Sequence, residues 1–347
     1  MCEVGKPPIM MRVGLIGAGK MGLSHHAILN AHPKVVVAAV ADTSGLVLSM
    51  LQKYVGVRTV KDYRQMEDID GVVIATPPQT HADAVTWALE HGLHVFVEKP
   101  LCLTIDDGRR LASLADRQGV VNQVGYHNRF LGTFRETKRL VQSGIIGDPY
   151  HISGEAYGQV VIKEESSTWR SAKEAGGGCL HEYGSHVIDL MNYVVGPPTD
   201  ILGVVLKRVY SRDVEDAVYA TLAYPDGVSG QLATNWTDET YRRMTARLTV
   251  HGTRGKIIVD REECRLYLSA APASAEFASG WTVRNITQLQ PLVAYYLRGE
   301  EYTSQLDHFV KAVESGAIDP HASSFASALQ VDIVMDRLVH RARGVAA

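Results

Sequence analysis

Glu182 and His186 stand four positions apart in the segment Gly176-Gly177-Gly178-Cys179-Leu180-His181-Glu182-Tyr183-Gly184-Ser185-His186-Val187-Ile188-Asp189. The segment reads as a helix from Cys179 to Val195, opened by glycines and stopped at Gly196-Pro197-Pro198, which would put Glu182 and His186 on one face. Asp189, three residues further on, is a second partner available to the imidazole. An imidazole oriented by a carboxylate can accept a proton near neutral pH. The same pairing also occurs as a purely structural contact, and this segment alone leaves both readings open.

A second chemistry begins nearer the start of the chain. Gly17, Gly19 and Gly22 fall at the G-x-G-x-x-G spacing immediately after the apolar run Val13 to Ile16. The first glycine allows a tight turn, the second lets a pyrophosphate approach the backbone, and the third lets a helix pack on the strand. The helix opening at Lys20 and Met21 would turn its free N–H groups towards the phosphates. A second strand, Val35 to Val40, ends at Asp42, twenty positions past Gly22, where a carboxylate can accept from the adenosine ribose. That carboxylate would oppose the extra phosphate of NADP: two like charges about 4 Å apart repel by roughly 4 kcal/mol at an effective dielectric of 20. No arginine immediately follows Asp42, where Thr43 and Ser44 stand, so NAD is expected in preference to NADP.

With a dinucleotide placed there, two more stretches acquire meaning. The apolar strand Gly71 to Ala75 stops at Thr76-Pro77-Pro78, where the prolines force a turn at the strand's carboxyl end, the side on which open α/β sheets hold ligands. Strand His94 to Val97 closes on Glu98-Lys99-Pro100 in the same way. A lysine fixed beside a bound nicotinamide can hydrogen-bond an alcohol or carbonyl oxygen and stabilise charge that develops as hydride moves.

The elements needed to hold these residues can be read from the same chain. Up to about residue 130, strands alternate with helices (Ser44 to Tyr54, Thr80 to His91, Ile105 to Gln118), as in a parallel, doubly wound sheet. Beyond it, a helix over Thr133 to Ser143 precedes strands near Tyr150 to Gln159, Ile201 to Tyr210, Ala217 to Tyr224, Val228 to Trp236, Ala246 to Val250, Lys256 to Val259 and Arg265 to Leu268. Pro225-Asp226-Gly227 reads as a hairpin turn, and late helices are expected over Ser304 to Ser315 and Ser323 to Arg341. The fold class is therefore α/β: an N-terminal doubly wound parallel sheet over 10–129, then an α/β domain over 130–345 with a large, mostly antiparallel sheet. An uncovered sheet face suits a subunit interface, so a homo-oligomer, a dimer or tetramer, is expected.

Composition sets the outer bounds. With 347 residues, 46% of them hydrophobic, there is material for two cores. A formal net charge of -3, from 35 basic and 38 acidic residues, makes no electrostatic case for nucleic acid or a membrane surface. Cys2, Cys102, Cys179 and Cys264 lack the spacing of a metal site, and no bound metal is expected. The scattered cysteines, the missing signal-peptide core and the lack of an eighteen-residue apolar run favour the cytoplasm. Met1 to Pro8 read as a loose extension.

Taken together and in order, these motifs resemble the glucose-fructose oxidoreductase, inositol dehydrogenase and rhizopine-catabolism (Gfo/Idh/MocA) family. The resemblance rests on Gly17-Ala18-Gly19-Lys20-Met21-Gly22 with His25, Ala75-Thr76-Pro77-Pro78 with His81, Glu98-Lys99-Pro100, Gly125-Tyr126-His127-Asn128-Arg129-Phe130, Trp169-Arg170, and Gly184-Ser185-His186 with Asp189. It implies a Rossmann domain and an α/β domain with an open sheet, the last helix returning to pack on the first domain. It also implies that Lys99 is the catalytic lysine and His186 the catalytic histidine, the proton acceptor when a sugar or cyclitol hydroxyl is oxidised. The family commonly has aspartate four residues before that histidine, and this chain has Glu182, whose extra methylene moves its oxygens. The cofactor set is then Gly17, Gly19, Lys20, Met21, Gly22, Asp42, Thr76, Pro77, His81, Glu98 and Lys99. Tyr126, Asn128, Arg129, Tyr157, Trp169 and Arg170 are expected to line the substrate pocket with Glu182 and His186, supplying the hydroxyl, amide, guanidinium and aromatic groups that sugars need. His127, His181, His251 and His308 read as structural, while for His25 and His81 a capping or packing role is as good a reading as a place near the cofactor. The expected activity is NAD-dependent oxidation of a secondary hydroxyl; the competing readings are redox-assisted glycoside cleavage with retained NAD and a non-catalytic sensor of dinucleotide or sugar.

Overall fold

The structure, a computed structural model, describes residues 10–163, 170, 172, 176–272, 276–290, 293, 295–317 and 320–344; the extension Met1 to Pro8 and the candidate Trp169 lie outside them. The chain forms two compact units. The first contains the described residues up to Cys102, Asp106–Gly125 and Val293–Phe325, and the second contains Leu103–Ile105, Tyr126–Leu292 and the chain from Ala326 onward. The change of unit after Gly125 falls just before the expected boundary at Arg129, which places the whole stretch from Tyr126 to Phe130 in the second unit.

In the first unit, strands β1 (Met11–Ile16), β2 (Val35–Ala41), β3 (Thr59–Val60), β4 (Gly71–Ile74), β5 (His94–Val97) and β6 (Asn122–Val124) form one sheet in the order β3-β2-β1-β4-β5-β6. Every neighbouring pair is parallel. Helices α1 (Lys20–Ala31), α2 (Gly45–Tyr54), α3 (His81–Glu90) and α4 (Ile105–Gln118) supply crossovers. Every residue of β4 is buried, which is what a continuous apolar run means in a sheet covered on both faces. The strand order reverses between β1 and β4, and a crevice for a ligand opens at the carboxyl ends of strands at such a switch.

The second unit opens with α5 (Gly132–Gln142), β7 (Pro149–Tyr157) and α6 (Ser185–Val195), and continues through β8 (Asp200–Lys207), β9 (Ala217–Ala223), β10 (Ser229–Asn235), β11 (Arg247–Gly252), β12 (Gly255–Val259), β13 (Glu263–Leu268), β14 (Gly280–Asn285) and the single turn α7 (Ile286–Leu289). Its eight strands are ordered β14-β13-β12-β11-β7-β10-β9-β8 and are antiparallel throughout except for β7 beside β10. Helix α6 covers one face: at Gly154 of β7 an added Cβ would run into Val187 and Met191. The opposite face leaves Val205, Tyr219, Tyr267, Trp281 and Val283 exposed. Strand β14 was not among the expected strands; its apolar residues Trp281 and Val283 face outward from an edge, so no buried stripe marks it.

Two further helices end the chain, α8 (Glu300–Ser315) and α9 (Phe325–Ala342). The helix that joins the first unit is α8, and α9 beyond Phe325 belongs to the second unit. The reason is where their side chains go. Leu306, Phe309, Val310 and Ala312 of α8 enter the core built from Val13, Leu15, Ile28, Leu29 and Phe96, while on α9 Arg337 donates to the Thr199 carbonyl at 2.8 Å. Among the described residues no helix is long and apolar enough to cross a membrane.

Candidate active site

Each glycine of the G-x-G-x-x-G turn meets a distinct steric demand. Gly17 adopts φ +94°, and a Cβ there would lie 2.8 Å from the Ala75 carbonyl oxygen and against Thr76; a Cβ at Gly22 would collide with the Gly17 carbonyl. The turn therefore packs directly on the end of β4. At Gly19 a Cβ would meet nothing within 4 Å, and no side chain caps the N-terminus of α1 there. Open space before uncapped helical N–H groups, with Lys20 exposed and Met21 half-buried, fits a pyrophosphate. Asp42 closes the turn from the other side: its two carboxylate oxygens accept from Ala18 N–H and Ser44 N–H, each at 2.7 Å. It remains partly exposed, with lone pairs left for ribose hydroxyls.

The turns after β4 and β5 are tied by histidine. His81, the first residue of α3, is completely buried; its Nδ1 lies 2.8 Å from the Pro100 carbonyl and its Nε2 2.9 Å from the Thr76 carbonyl. Burial pushes its pKa down, so the neutral ring carries one N–H and donates to one of these two carbonyls at a time. Its side chain thus meets backbone, as in the packing role that the sequence leaves open beside a place near the cofactor. Thr80 Oγ1 donates to Thr76 Oγ1 at 2.8 Å, while Pro77 is exposed. Lys99 is half-buried after β5, joined to Pro100 by a cis peptide. The neighbouring Glu98, also expected at the cofactor, has a carboxylate oxygen 2.6 Å from His25 Nε2.

The second unit gathers the other candidates. The helix carrying Glu182 and His186 is not a regular α-helix from Cys179: Leu180–Gly184 form a wide π turn, closed by the Ser185 N–H on the Leu180 carbonyl, and α6 follows. A residue pair four apart does not stack across such a turn as it would in an α-helix, and π turns recur at functional sites. Gly184 permits the turn, since a Cβ there would sit 2.9 Å from Leu180 Cδ1. The triple glycine brings in more distant chain. Gly177 leaves no room for a Cβ against the Arg170 carbonyl, which accepts from Gly178 N–H at 3.0 Å, and Gly178 at φ +110° lies on the Glu215 carboxylate. Glu215 in turn accepts from Leu180 N–H at 2.9 Å, capping the helical segment. The loop residue Glu215 carries no motif, and only the glycine at 178 hints that something must approach.

His186 is buried at the start of α6 with two rings against it: Tyr126 at 5.9 Å and 88°, and His127 at 4.9 Å and 67°. His127, read as structural, is thus a neighbour of the candidate base. Arg170 faces Glu182, with Nε and Nη2 both 3.4 Å from its Oε1. Asn128 is buried, and its Nδ2 has no hydrogen-bond partner among the described residues, a donor left for a ligand or water. Tyr157 stacks on Tyr241 with centroids 5.9 Å apart.

Two assignments change. Arg129 is not offered to a substrate: its Nε donates to Asp189 at 3.0 and 2.8 Å and its Nη2 at 2.6 Å, with side chains 4% and 1% exposed, and Nη2 also meets Ser327 Oγ at 2.9 Å. Asp189 is thereby committed to Arg129 and not to His186. Burial pushes its carboxyl pKa up, opposed by the guanidinium. Tyr126 is wholly buried with its ring against His186.

A parallel sheet with an open glycine cradle and a partly exposed carboxylate beside it, joined in one chain to a buried imidazole among polar side chains, is the arrangement of a dinucleotide-dependent oxidoreductase. Residues 11–126 match the oxidoreductase family with an NAD-binding Rossmann fold, and residues 134–258 match the GFO/IDH/MocA C-terminal domain. The rhizopine catabolism protein MocA of Rhizobium meliloti is 31% identical over 228 residues, covering 63% of this chain and 69% of that protein. The NAD(+)-dependent scyllo-inositol 2-dehydrogenase of Bacillus subtilis is 24% identical over 318 residues, 88% of this chain and 87% of its own. A solved structure of levoglucosan dehydrogenase with NADH shares the fold at TM-score 0.86 and 24% identity, covering 96% of this chain and 97% of that one. The chain belongs to the Gfo/Idh/MocA oxidoreductase family, and its first unit is an NAD-binding Rossmann domain.

Proposed function

We propose that the protein oxidises a secondary hydroxyl of a sugar, sugar derivative or cyclitol. One observation carries this reading: the buried His186 shares its unit with Glu182, Arg170 and an Asn128 amide whose Nδ2 is unpartnered, the mixture of donors and acceptors that a polyol requires. The relatives named above as inositol and levoglucosan dehydrogenases support the same substrate class.

The glycine turn and Asp42 would hold NAD, which would supply the hydride acceptor. Lys99 donates a hydrogen bond to the reacting oxygen and stabilises its developing charge. His186 takes the hydroxyl proton, and Glu182 with Arg170 sets the polar surroundings in which the imidazole is oriented. The cytoplasm fits the three described cysteines, Cys102, Cys179 and Cys264, which are all buried. The exposed apolar face of the eight-stranded sheet supports pairing of two or more copies.

Incubation with NAD and a panel of sugars and cyclitols, following NADH absorbance, tests the reading; turnover of one of them is expected. Sugar product without net NADH would indicate redox-assisted glycoside cleavage, and no turnover on the whole panel would overturn the assignment. With a substrate in hand, Lys99→Met and His186→Ala should each lower kcat by about 10²- to 10⁴-fold while leaving NAD binding nearly intact. Full activity in both variants would remove these two residues from the mechanism.

A further inference from the structure

Lys99 is bracketed by two histidines that solvent does not reach. His25, on α1, is 0% exposed; its Nε2 donates to Glu98 Oε1 at 2.6 Å, and its ring stands edge-on to Phe96 of β5 with centroids 5.4 Å apart. The same carboxylate lies against Gly125, where an added Cβ would be 3.0 Å from Oε2. Glu98 is thus confined between α1 and the end of β6. On the other side, His81 is also 0% exposed and reaches the Pro100 carbonyl with one nitrogen and the Thr76 carbonyl with the other. The residue before Lys99 is held through its side chain, and the residue after it through its backbone oxygen.

Packing alone does not call for imidazole at either place. A leucine or phenylalanine would fill the volume without the cost of burying polar nitrogens. Each histidine instead directs one nitrogen at a residue adjoining Lys99, His25 Nε2 at Glu98 and His81 Nδ1 at the Pro100 carbonyl, while His81 Nε2 faces the turn after β4 on which the glycine turn packs and His25 Nδ1 has no hydrogen-bond partner among the described residues. Being sealed from solvent, neither side chain can itself touch a substrate.

We propose that His25 and His81 are positioning residues for Lys99, fixing the backbone on both sides of it so that its ammonium is presented in one place. The inference rests on the role proposed above for Lys99, and its effect on the reaction is that of geometry: misplacing a catalytic group by about 1 Å can cost on the order of 100-fold.

The test uses the full-length protein with NAD bound and two readouts. The first is kcat against KM on a substrate found in the panel. The second, independent of catalysis, is the rate of reductive methylation of Lys99 relative to other lysines, read by mass spectrometry. His25→Leu and His81→Leu should lower kcat by about 10- to 100-fold with little change in KM, and should alter the labelling rate of Lys99. His25→Gln, whose amide reaches the place of Nε2, should recover most of the activity, whereas His25→Asn, which is too short to meet Glu98, should not. That Gln/Asn pair decides the matter if the leucine variants do not fold. Wild-type turnover and unchanged Lys99 labelling in the folded His25 and His81 variants, beside an inactive Lys99→Met, would overturn the proposal. Full activity of Lys99→Met would instead overturn the role of Lys99, with the labelling rates still deciding whether the histidines hold it.

Discussion

Arg129 and Asp189 are both nearly sealed from solvent, and with Arg129 also lying over the Tyr193 ring at 5.1 Å they hold the stretch carrying Tyr126 and His127 to α6. Removing one member of such a pair leaves a buried charge without its partner, so Asp189→Ala should lower stability by about 3–5 kcal/mol in chemical denaturation. The double variant Arg129→Met/Asp189→Leu should lie much closer to the parent, because the desolvation cost disappears with both charges. Asp332 is the opposite case. It is buried, neither carboxylate oxygen has a hydrogen-bond partner among the described residues, and burial pushes its pKa well above the ordinary carboxylate value. Between that ordinary value and the raised one, the folded chain keeps a proton that the unfolded chain gives up, so the contribution of Asp332 to stability is lost as pH rises through the interval. Asp332→Asn should therefore raise Tm on the alkaline side by roughly 2–4 °C per kcal/mol recovered, and should change little in acid. A uniform shift at all pH values would contradict that origin.

The helical segment around His186 shows what an element's ends reveal and what they conceal. Its glycine-rich opening and its stop at Gly196 are legible from residue types alone, and α6 does end there. The π turn over Leu180–Gly184 is not, because it depends on Gly184 accepting the Leu180 side chain and on Glu215 reaching the Leu180 N–H from a loop outside the segment. Glu215→Ala should cost about 0.5–2 kcal/mol as a lost cap. Its kcat should fall while the Kd for NAD, whose residues lie in the first unit, stays unchanged; Glu215→Gln, keeping an acceptor, should fall less. Gly178→Ala should be worse than either, since it combines a left-handed φ with collision against that carboxylate.

For the whole molecule, the uncovered sheet face makes a prediction about assembly. Val205 and Tyr219 are cross-strand partners on it, as are Tyr267 and Trp281, and all four are exposed. If this face joins copies of the chain, Tyr219→Glu should shift light-scattering mass towards the monomer without loss of fold; an unchanged mass would place the interface elsewhere or remove it. The architecture was readable at the scale of its periods. A run of strands alternating with helices, closed by glycine at Gly17 and proline at Pro77 and Pro100, can form little else than a doubly wound sheet, since each signal comes from backbone geometry within a few residues of itself. The groups that could do chemistry, Lys99, Glu182 and His186, were visible for the same reason. Only the tertiary structure decided their partners. It gave Asp189 to Arg129 across 60 residues, Glu98 to His25 across 73 and the Leu180 N–H to Glu215 across 35. Those pairings depend on which buried polar groups meet once two cores have closed, and no local periodicity encodes that meeting.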